Sequence, residues 1–501
     1  AIVACFAALC LWSPAVAHDV SRTVQKYPSP QFATQLQDHF DKQNTNTWQQ
    51  AYYVNATYWK GSASEAPVFL CVGGEGPALD GSAVVSSVHC NLAVEWLQET
   101  GALMFALEHR YYGCHNMSAC PVKDFKNATS ALRFLSSRQA VEDVAHFVTE
   151  MQSLYGLTDK NKWVTWGGSY PGMVAGWSRL KHPELIHASV ASSAPVHAKL
   201  DMFEYNDAVS NAYTVSDNDV GGSPECRQAI ADGHGKIKEM IATAEGMAEV
   251  EKLLGLSSGT LKSREAQIDF LGNGVASFPA QSNDPACTEP ACNIKLICEI
   301  MTKASLGTPL QRLLALRKTQ GVSGRQAPQT ALLATRPTAN DWADYWLYQT
   351  CTEFGFYQTC AEGTSCMWVQ GLVDVESMAD DCKQFGISIP EIEQSIEATN
   401  AHYGALEPSG PTGTTMGTCV LWPNGEVDPW STLSVLKSPS DALPVTWVPG
   451  ASHHTWTHPS AASDQASVVE ARKTIKATVL KFLASDCAED HFQPKDELIV
   501  V

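Results

Sequence analysis

Between residues 162 and 172 the chain reads Lys-Trp-Val-Thr-Trp-Gly-Gly-Ser-Tyr-Pro-Gly. The apolar residues up to Trp166 predict a short buried strand, and a helical pattern follows Gly172 directly. A serine between a strand and a helix, with glycines beside it, lies on a sharp turn that exposes its hydroxyl. We therefore predict Ser169 as a nucleophile, although proline takes the fifth position of the Gly-x-Ser-x-Gly pattern. A plain Gly-Ser turn is the alternative.

Other apolar runs surround this turn and are bounded by glycine, proline or polar residues. They predict strands at residues 51–59, 66–72, 102–107, 186–191, 417–422 and 443–448. Helical spacing of apolar residues predicts helices at residues 141–154 and 468–483. Strands that alternate with helices predict an α/β fold with a mostly parallel sheet covered on both faces. Residues 19–50 are polar and poorly periodic, so we expect a surface arm there.

The middle of the chain has a different character. Residues 199–405 are richer in helical patterns, at 229–254 and 390–403 for example, and contain eight cysteines. We predict that this interval is an inserted, mainly helical, disulfide-containing cap domain. The α/β domain then consists of residues 18–198 and 406–501.

The N-terminus and the cysteines predict export from the cytosol. Residues 2–12 are apolar and precede Ala15-Val-Ala17, which is typical of a signal peptide over residues 1–17; a buried N-terminal helix is the alternative. Two of the 16 cysteines lie there, and the remaining even number predicts disulfide bonds. There is no Cys-x-x-Cys pair, so we expect no metal site. Asn55, Asn116 and Asn127 head glycosylation triplets. These features predict a secreted or lysosomal (vacuolar) glycoprotein.

The net charge of the chain is −19. Such a chain repels nucleic acid, and no basic run or zinc-finger spacing is present, so we expect no nucleic-acid partner. No stretch after the N-terminus reaches the roughly 18 apolar residues of a membrane span, so we expect no stable membrane insertion. Homodimerisation stays open.

A serine nucleophile needs a histidine base that is oriented by a carboxylate. Residues 424–430 read Asn-Gly-Glu-Val-Asp-Pro-Trp and offer Glu426 and Asp428; residues 451–456 offer His453 and His454. Each segment follows a predicted strand, and Asp428 precedes His453 by 25 residues, the length of one helix and one strand. Ser, acid and His also follow one another in the chain order of α/β-hydrolases.

At this point the chain resembles the prolyl-carboxypeptidase-like family of serine peptidases, and its thymus-specific branch most of all. The segments that carry the resemblance are 72–77 (Val-Gly-Gly-Glu-Gly-Pro), 108–113 (Glu-His-Arg-Tyr-Tyr-Gly), 132–137 (Leu-Arg-Phe-Leu-Ser-Ser), 167–172, 191–195 (Ala-Ser-Ser-Ala-Pro), 351–355 (Cys-Thr-Glu-Phe-Gly), 424–430 and 450–453 (Gly-Ala-Ser-His). The resemblance implies an α/β-hydrolase fold. It also implies a catalytic triad of Ser169, Asp428 and His453, with Glu426 and His454 as alternatives.

The same resemblance extends to the surroundings of the triad. It implies an oxyanion hole made by the backbone N–H groups of Tyr170 and Gly74, although the second loop is alternatively a tight turn. Glu353 and Trp430 are substrate-binding candidates, with an ion pair to arginine as the alternative for Glu353. An apolar slot for proline is expected among aromatic residues, half or more of which belong to the core: Trp346, Phe354, Phe356, Tyr357 and Trp430. His109 with Arg110 is expected to be structural.

The predicted activity is the hydrolysis of peptide substrates through an acyl-enzyme, with neither metal nor organic cofactor. We expect proline or a small apolar residue before the scissile bond, and an exopeptidase rather than an endopeptidase. A lipase or other esterase with the same triad is one alternative. A non-catalytic binding protein is the other, since hydrolase folds can lose activity.

Overall fold

The structure is a computed structural model that describes residues 27–114, 119–124, 128–217, 219–322, 342–413, 415–487 and 499–500. The predicted signal peptide and the glycosylation candidates Asn116 and Asn127 lie outside these residues.

One large sheet organises the described residues. The strands are β1 (Gln31–Leu36), β2 (Thr47–Asn55), β3 (Val68–Val72), β4 (Leu103–Leu107), β5 (Trp163–Gly168), β6 (Ala188–Ser192), β7 (Lys199–Asp201), β8 (Gly355–Tyr357), β9 (Val420–Gly425), β10 (Val445–Val448) and β11 (Ile499–Val500). Nine of them pair in the order β1-β2-β4-β3-β5-β6-β9-β10-β11, while β7 and β8 form a separate two-stranded sheet. Pairing is antiparallel in β1–β2 and β2–β4 and parallel elsewhere.

The helices of the described residues either cover the two faces of this sheet or lie in the interval between β6 and β9. They are α1 (Asn91–Glu95), α2 (Leu97–Thr100), α3 (Ala128–Leu132), α4 (Ser137–Tyr155), α5 (Tyr170–Lys181), α6 (Phe203–Ala212), α7 (Pro224–Ile241), α8 (Ala244–Leu254), α9 (Arg264–Leu271), α10 (Ile294–Met301), α11 (Pro309–Thr319), α12 (Trp342–Gln349), α13 (Val375–Ala379), α14 (Ile389–Tyr403) and α15 (Ala466–Ala484). Alternate residues of β3 show why its sequence is apolar throughout. Leu70 packs in the core that includes α4 and α5, whereas Phe69 packs in the core that includes α1 and α15.

This arrangement confirms the predicted fold class. A mostly parallel sheet between two helical layers, with a serine on the turn between β5 and α5, is the α/β-hydrolase architecture. Between β6 and β9 the chain leaves the large sheet and forms α6–α14 and the small sheet. The boundaries of the cap domain at residues 199 and 405 stay a prediction.

Two expectations about local structure are wrong. Residues 31–50 are not a surface arm, because β1 and the start of β2 pair there at the edge of the sheet. The helix expected at 229–254 is two helices, α7 and α8. The Thr243 side chain accepts a hydrogen bond from the N–H of Gly246 and thereby caps a new helix.

Seven disulfide bonds confirm the predicted pairing of the cysteines that follow the N-terminal segment. The pairs are Cys71–Cys90, Cys114–Cys120, Cys226–Cys298, Cys287–Cys292, Cys351–Cys382, Cys360–Cys366 and Cys419–Cys487. Four of them lie within residues 199–405 and three outside, so no disulfide joins the two parts among the described residues. In that part of the chain, none of the helices combines the length and apolar character needed to cross a bilayer.

Candidate functional site

The turn after β5 holds the predicted nucleophile in a strained conformation. Ser169 has φ 66° and ψ −134°, which few residues other than glycine adopt, and its N–H donates to Ser192 O at 2.9 Å. A Cβ on Gly167 would lie 2.2 Å from Pro171 O, and one on Gly172 would lie 2.8 Å from Ser192 O. Glycine is required at both positions because the backbone passes so close there. The half-buried Ser169 side chain therefore lies beyond the carboxyl end of a central strand.

The predicted acid and base meet beyond the ends of the neighbouring strands β9 and β10. Oδ2 of Asp428 lies 2.8 Å from Nδ1 of His453, and both side chains are buried. Oδ1 of Asp428 accepts the backbone N–H of Trp430 at 2.9 Å. The carboxylate favours a proton on Nδ1, which leaves the lone pair on Nε2. Nε2 is buried and has no hydrogen-bond partner among the described residues.

The two alternative residues are held elsewhere. Glu426 is exposed and accepts the N–H of Gly450 at 2.8 Å, so it closes a turn instead of facing an imidazole. The ring of His454 packs beside Gly168, where a Cβ would lie only 2.9 Å from its Cγ, and its Nδ1 contacts Thr457 Oγ1 at 3.1 Å. Burial, followed by the neighbouring histidines, lowers the pKa of His454 well below its ordinary value. These contacts favour Asp428 and His453 as the acid and base.

The two backbone segments of the predicted oxyanion hole, the start of α5 and the loop after β3, lie next to each other. Tyr170 begins α5, and the first N–H groups of a helix have no acceptor within the helix. A Cβ on Gly74 would lie 2.2 Å from Cγ of Pro171, so the loop after β3 touches the start of α5. The Gly73 N–H is already bonded to Leu107 O at 2.9 Å, which makes Gly74 the better donor candidate. Burial raises the pKa of the next residue, Glu75, to about 7.

A buried polar network behind Tyr170 was not predicted from the sequence. His109 Nδ1 lies 2.8 Å from Arg110 O, so it carries the proton, and Nε2 accepts from the Tyr170 hydroxyl at 3.0 Å. That hydroxyl accepts from Nε2 of Gln349 at 2.9 Å, and the Tyr112 hydroxyl donates to the Gln349 carbonyl oxygen at 2.7 Å. Burial lowers the pKa of His109 to about 4, which keeps the ring neutral.

Glu353 belongs to the same network. Its carboxylate accepts from the backbone N–H of Ser137 at 2.8 and 3.0 Å, from the Ser137 hydroxyl at 2.7 Å and from Gln349 Nε2 at 2.9 Å. No ion pair between this carboxylate and an arginine occurs among the described residues. Burial raises the pKa of Glu353, although the bonds from Gln349 and Ser137 oppose the rise. Glu353 thus contacts the N-terminus of α4, where a carboxylate is favourable.

A continuous set of aromatic rings connects Tyr170 to His453. Tyr170 contacts Phe354 with ring centroids 5.6 Å apart, and Phe354 stacks on Phe356 at 5.6 Å. Phe356 meets Trp430 edge-on at 5.5 Å, and the Trp430 ring lies 6.4 Å from that of His453. Phe354, Phe356 and Trp430 are at most 2% exposed, so they pack as core residues beside the site.

Two further features bear on the sequence predictions. The side-chain amide of Asn55, at the end of β2, is half-buried and donates to Val84 O at 2.8 Å. Among the described residues, no group of histidine, cysteine, aspartate or glutamate side chains has the arrangement of a metal site.

Comparison with known proteins identifies the family to which this chain belongs. Residues 35–475 match the model of the serine carboxypeptidase S28 family. The chain is 35% identical to human thymus-specific serine protease over 89% of this chain and 85% of that protein. It is 27% identical to human lysosomal Pro-X carboxypeptidase over 90% and 87%. The structure of proline iminopeptidase from Mycobacterium smegmatis matches with 13% identity and a TM-score of 0.33, over 91% of this chain and 98% of that one. The chain belongs to the S28 family of serine peptidases.

Proposed function

We propose that this serine peptidase cleaves peptide bonds with Ser169 as nucleophile, His453 as general base and Asp428 as the residue that orients the base. The observation that carries the proposal is the buried 2.8 Å contact between Asp428 and His453, beyond the sheet end at which the Ser169 turn also lies. Geometry of this kind is how the triad is recognised on unrelated folds.

The reaction follows from the protonation states of these groups. Asp428 keeps the proton of His453 on Nδ1, so Nε2 takes the proton of the Ser169 hydroxyl as its oxygen attacks the peptide carbonyl. The imidazolium then gives this proton to the departing amine, and an acyl-enzyme remains. Nε2 then takes a proton from water as the water oxygen attacks the ester carbonyl, and the imidazolium returns this proton to the Ser169 oxygen as the acyl bond breaks and the acid product leaves. In free enzymes the bond between nucleophile and base is often long and shortens when substrate binds.

The oxyanion of each tetrahedral intermediate is assigned to the N–H groups of Tyr170 and Gly74. The packing of Gly74 on Pro171 supports this assignment, because it brings the second loop to the first turn of α5. The network of Tyr170, His109 and Gln349 then holds the first donor from behind.

We assign peptides with proline or a small apolar residue before the scissile bond as substrates, cleaved near one terminus. The buried aromatic rings between Tyr170 and His453, Trp430 among them, make the packing beside the site apolar, which favours an apolar residue over a charged one. The names of relatives such as the lysosomal Pro-X carboxypeptidase agree with this specificity and with a lysosomal or secreted location.

Labelling with a fluorophosphonate tests the nucleophile. Ser169→Ala should abolish labelling because the reactive oxygen is lost. Ser178→Ala is the matched control: Ser178 is a buried serine of the adjoining helix whose hydroxyl donates to Val174 O at 2.7 Å. This control should label like the wild type. Persistent labelling of Ser169→Ala would rule out Ser169 as the reactive serine.

A mixed peptide library, read by mass spectrometry, tests the substrate class. We expect terminal trimming after proline or small apolar residues. Internal cuts would contradict the exopeptidase mode, and hydrolysis of acyl esters without cleavage of any peptide would favour the esterase alternative.

A further inference from the structure

Residues 279–293 lie in the interval between β6 and β9, yet they contact the loops that carry the predicted acid and base. We call this segment the strap. We propose that Gln281 of the strap is a positioning residue that sets the geometry of both His453 and Asp428. The proposal rests on the proposed function, because it assigns Gln281 a role in the action of that same triad.

The backbone of the strap holds the histidine loop. The N–H of His453 donates to Gln281 O at 3.1 Å, and the Ser452 hydroxyl donates to Asn283 O at 2.8 Å. Both contacts lie within one residue of the imidazole. They limit the rotation of the loop, and hence the direction in which the ring can point.

The side chain of Gln281 reaches the acid loop. Its Oε1 accepts the indole N–H of Trp430 at 3.0 Å and the Tyr205 hydroxyl at 2.9 Å. An indole nitrogen can only donate, so the oxygen of the amide must face Trp430. The Trp430 backbone N–H in turn donates to Asp428 Oδ1 at 2.9 Å. One residue thus contacts the base directly and the acid through a single intermediate.

The strap is itself well anchored. Asn283 is buried, and its side-chain oxygen Oδ1 accepts the N–H of Ile294 at 2.9 Å. The amide of Asn293 reaches Asp284 O at 3.2 Å and Cys287 O at 3.3 Å, and the disulfide between Cys287 and Cys292 closes the loop. Because the strap is held at both ends, it can restrict the positions of the acid and base loops that it contacts. A mobile segment would move with those loops and could not restrict them.

The effect of losing the side chain follows from these contacts. Removal of Oε1 takes away the acceptor that Gln281 offers to the Trp430 indole. The strap then no longer connects the acid loop to the base loop, which are joined only by their direct contacts with each other. A displacement of about 1 Å in a catalytic group lowers rates by up to about 100-fold. Substrate binding changes little, because neither Asp428 nor His453 holds the substrate in the ground state.

The experiment measures the labelling of Ser169 by a fluorophosphonate and separates the maximal rate of labelling from the probe concentration at half-maximal rate. Gln281→Leu removes the acceptor at similar volume, and Gln281→Glu keeps an oxygen at the same place. Gln370→Leu is the matched control, because Gln370 lies in the same interval and makes its hydrogen bonds to Gly363, Thr364 and Cys366, away from the site.

We expect Gln281→Leu to lower the maximal rate about tenfold to 100-fold with an unchanged half-maximal concentration, and Gln281→Glu to restore most of the rate. Gln370→Leu should label at the wild-type rate even where its melting temperature falls. If Gln281→Leu does not fold, three other variants test the proposal. Normal labelling rates in Tyr205→Phe and Gln281→Glu, together with a slow labelling rate in Trp430→Phe, support it. Equal rates for Gln281→Leu and the wild type would overturn the positioning role alone. A wild type that never labels at Ser169 would overturn the proposed function as well.

Discussion

The buried histidine of α7 allows one pH effect to be worked out in full. His234 is fully buried, its Nδ1 donates to Ile230 O at 3.0 Å, and its Nε2 accepts the N–H of Val275 at 3.2 Å. Both nitrogens are used by the neutral ring, so a second proton would break the bond to Val275. Burial lowers the pKa of His234 from 6.5 to about 4, although the bonds to backbone carbonyls oppose the shift.

The sign and size of the effect follow from linkage. Because the folded pKa lies below the unfolded one, the stability contribution is complete above pH 6.5 and is lost as the pH falls towards 4. At pH 5 the ring of the unfolded chain is almost fully protonated, whereas the ring of the folded protein is almost fully neutral. At about 1.4 kcal/mol per pKa unit, this difference lowers the free energy of unfolding by about 2 kcal/mol.

The assay is urea denaturation of the wild type and His234→Gln at pH 7 and pH 5. Glutamine stays neutral and can both donate and accept hydrogen bonds. The variant should therefore lose about 2 kcal/mol less free energy of unfolding than the wild type between pH 7 and pH 5. His182→Gln is a control of opposite sign. Burial alone would lower the pKa of His182, but Glu142 at 3.0 Å raises it, so acid stabilises the wild type there. An equal loss in the wild type and His234→Gln would refute the reasoning.

Two further substitutions test the site and the fold. Asp428→Asn should lower kcat by about 10⁴ with little change in melting temperature, because an amide no longer holds the base tautomer; steady-state hydrolysis measures it, and a loss below tenfold would contradict the assignment. Asp143→Ala should lower the unfolding free energy by about 3–5 kcal/mol, because it leaves the buried Arg110 without the carboxylate it contacts at 2.6 and 2.7 Å. Urea denaturation measures this loss, and the exposed Glu239→Ala should change little.

The central strands could be predicted because burial on both faces leaves a simple pattern. Phe69 and Leu70 face different cores, so the sequence of β3 must be apolar throughout. The edge strand β1 could not be predicted in this way. Its residues read Gln-Phe-Ala-Thr-Gln-Leu, and the side-chain N–H of the buried Gln35 donates to Asp143 O at 2.8 Å, a partner far away in the chain. A search for apolar runs therefore misses strands whose buried polar side chains find hydrogen-bond partners in distant parts of the chain.

The candidate site likewise contains some residues that local sequence patterns mark and others that they do not. Ser169, Asp428 and His453 could be predicted because strand ends and short motifs mark them, and the contact between Asp428 and His453 agrees with the expected pairing. Gln281 carries no such mark. It lies 149 residues from the Trp430 indole that it contacts. No local sequence pattern predicts this contact, because only folding brings the two residues together. Glu353 belongs to one of the segments that carry the resemblance, but its contact with α4 joins residues 216 positions apart and has no local signal in the sequence.

The position of the strap has a consequence for recombination. The long interval between β6 and β9 lies in the sequence between the serine and its two partners, so its exchange among relatives is an obvious experiment for transplanting specificity. A chimaera made in this way would also replace Gln281 and Asn283, and with them the hydrogen bonds to Ser452 and His453. A donor interval therefore has to bring its own equivalent of the strap, or the hybrid enzyme will bind its new substrates and turn them over slowly.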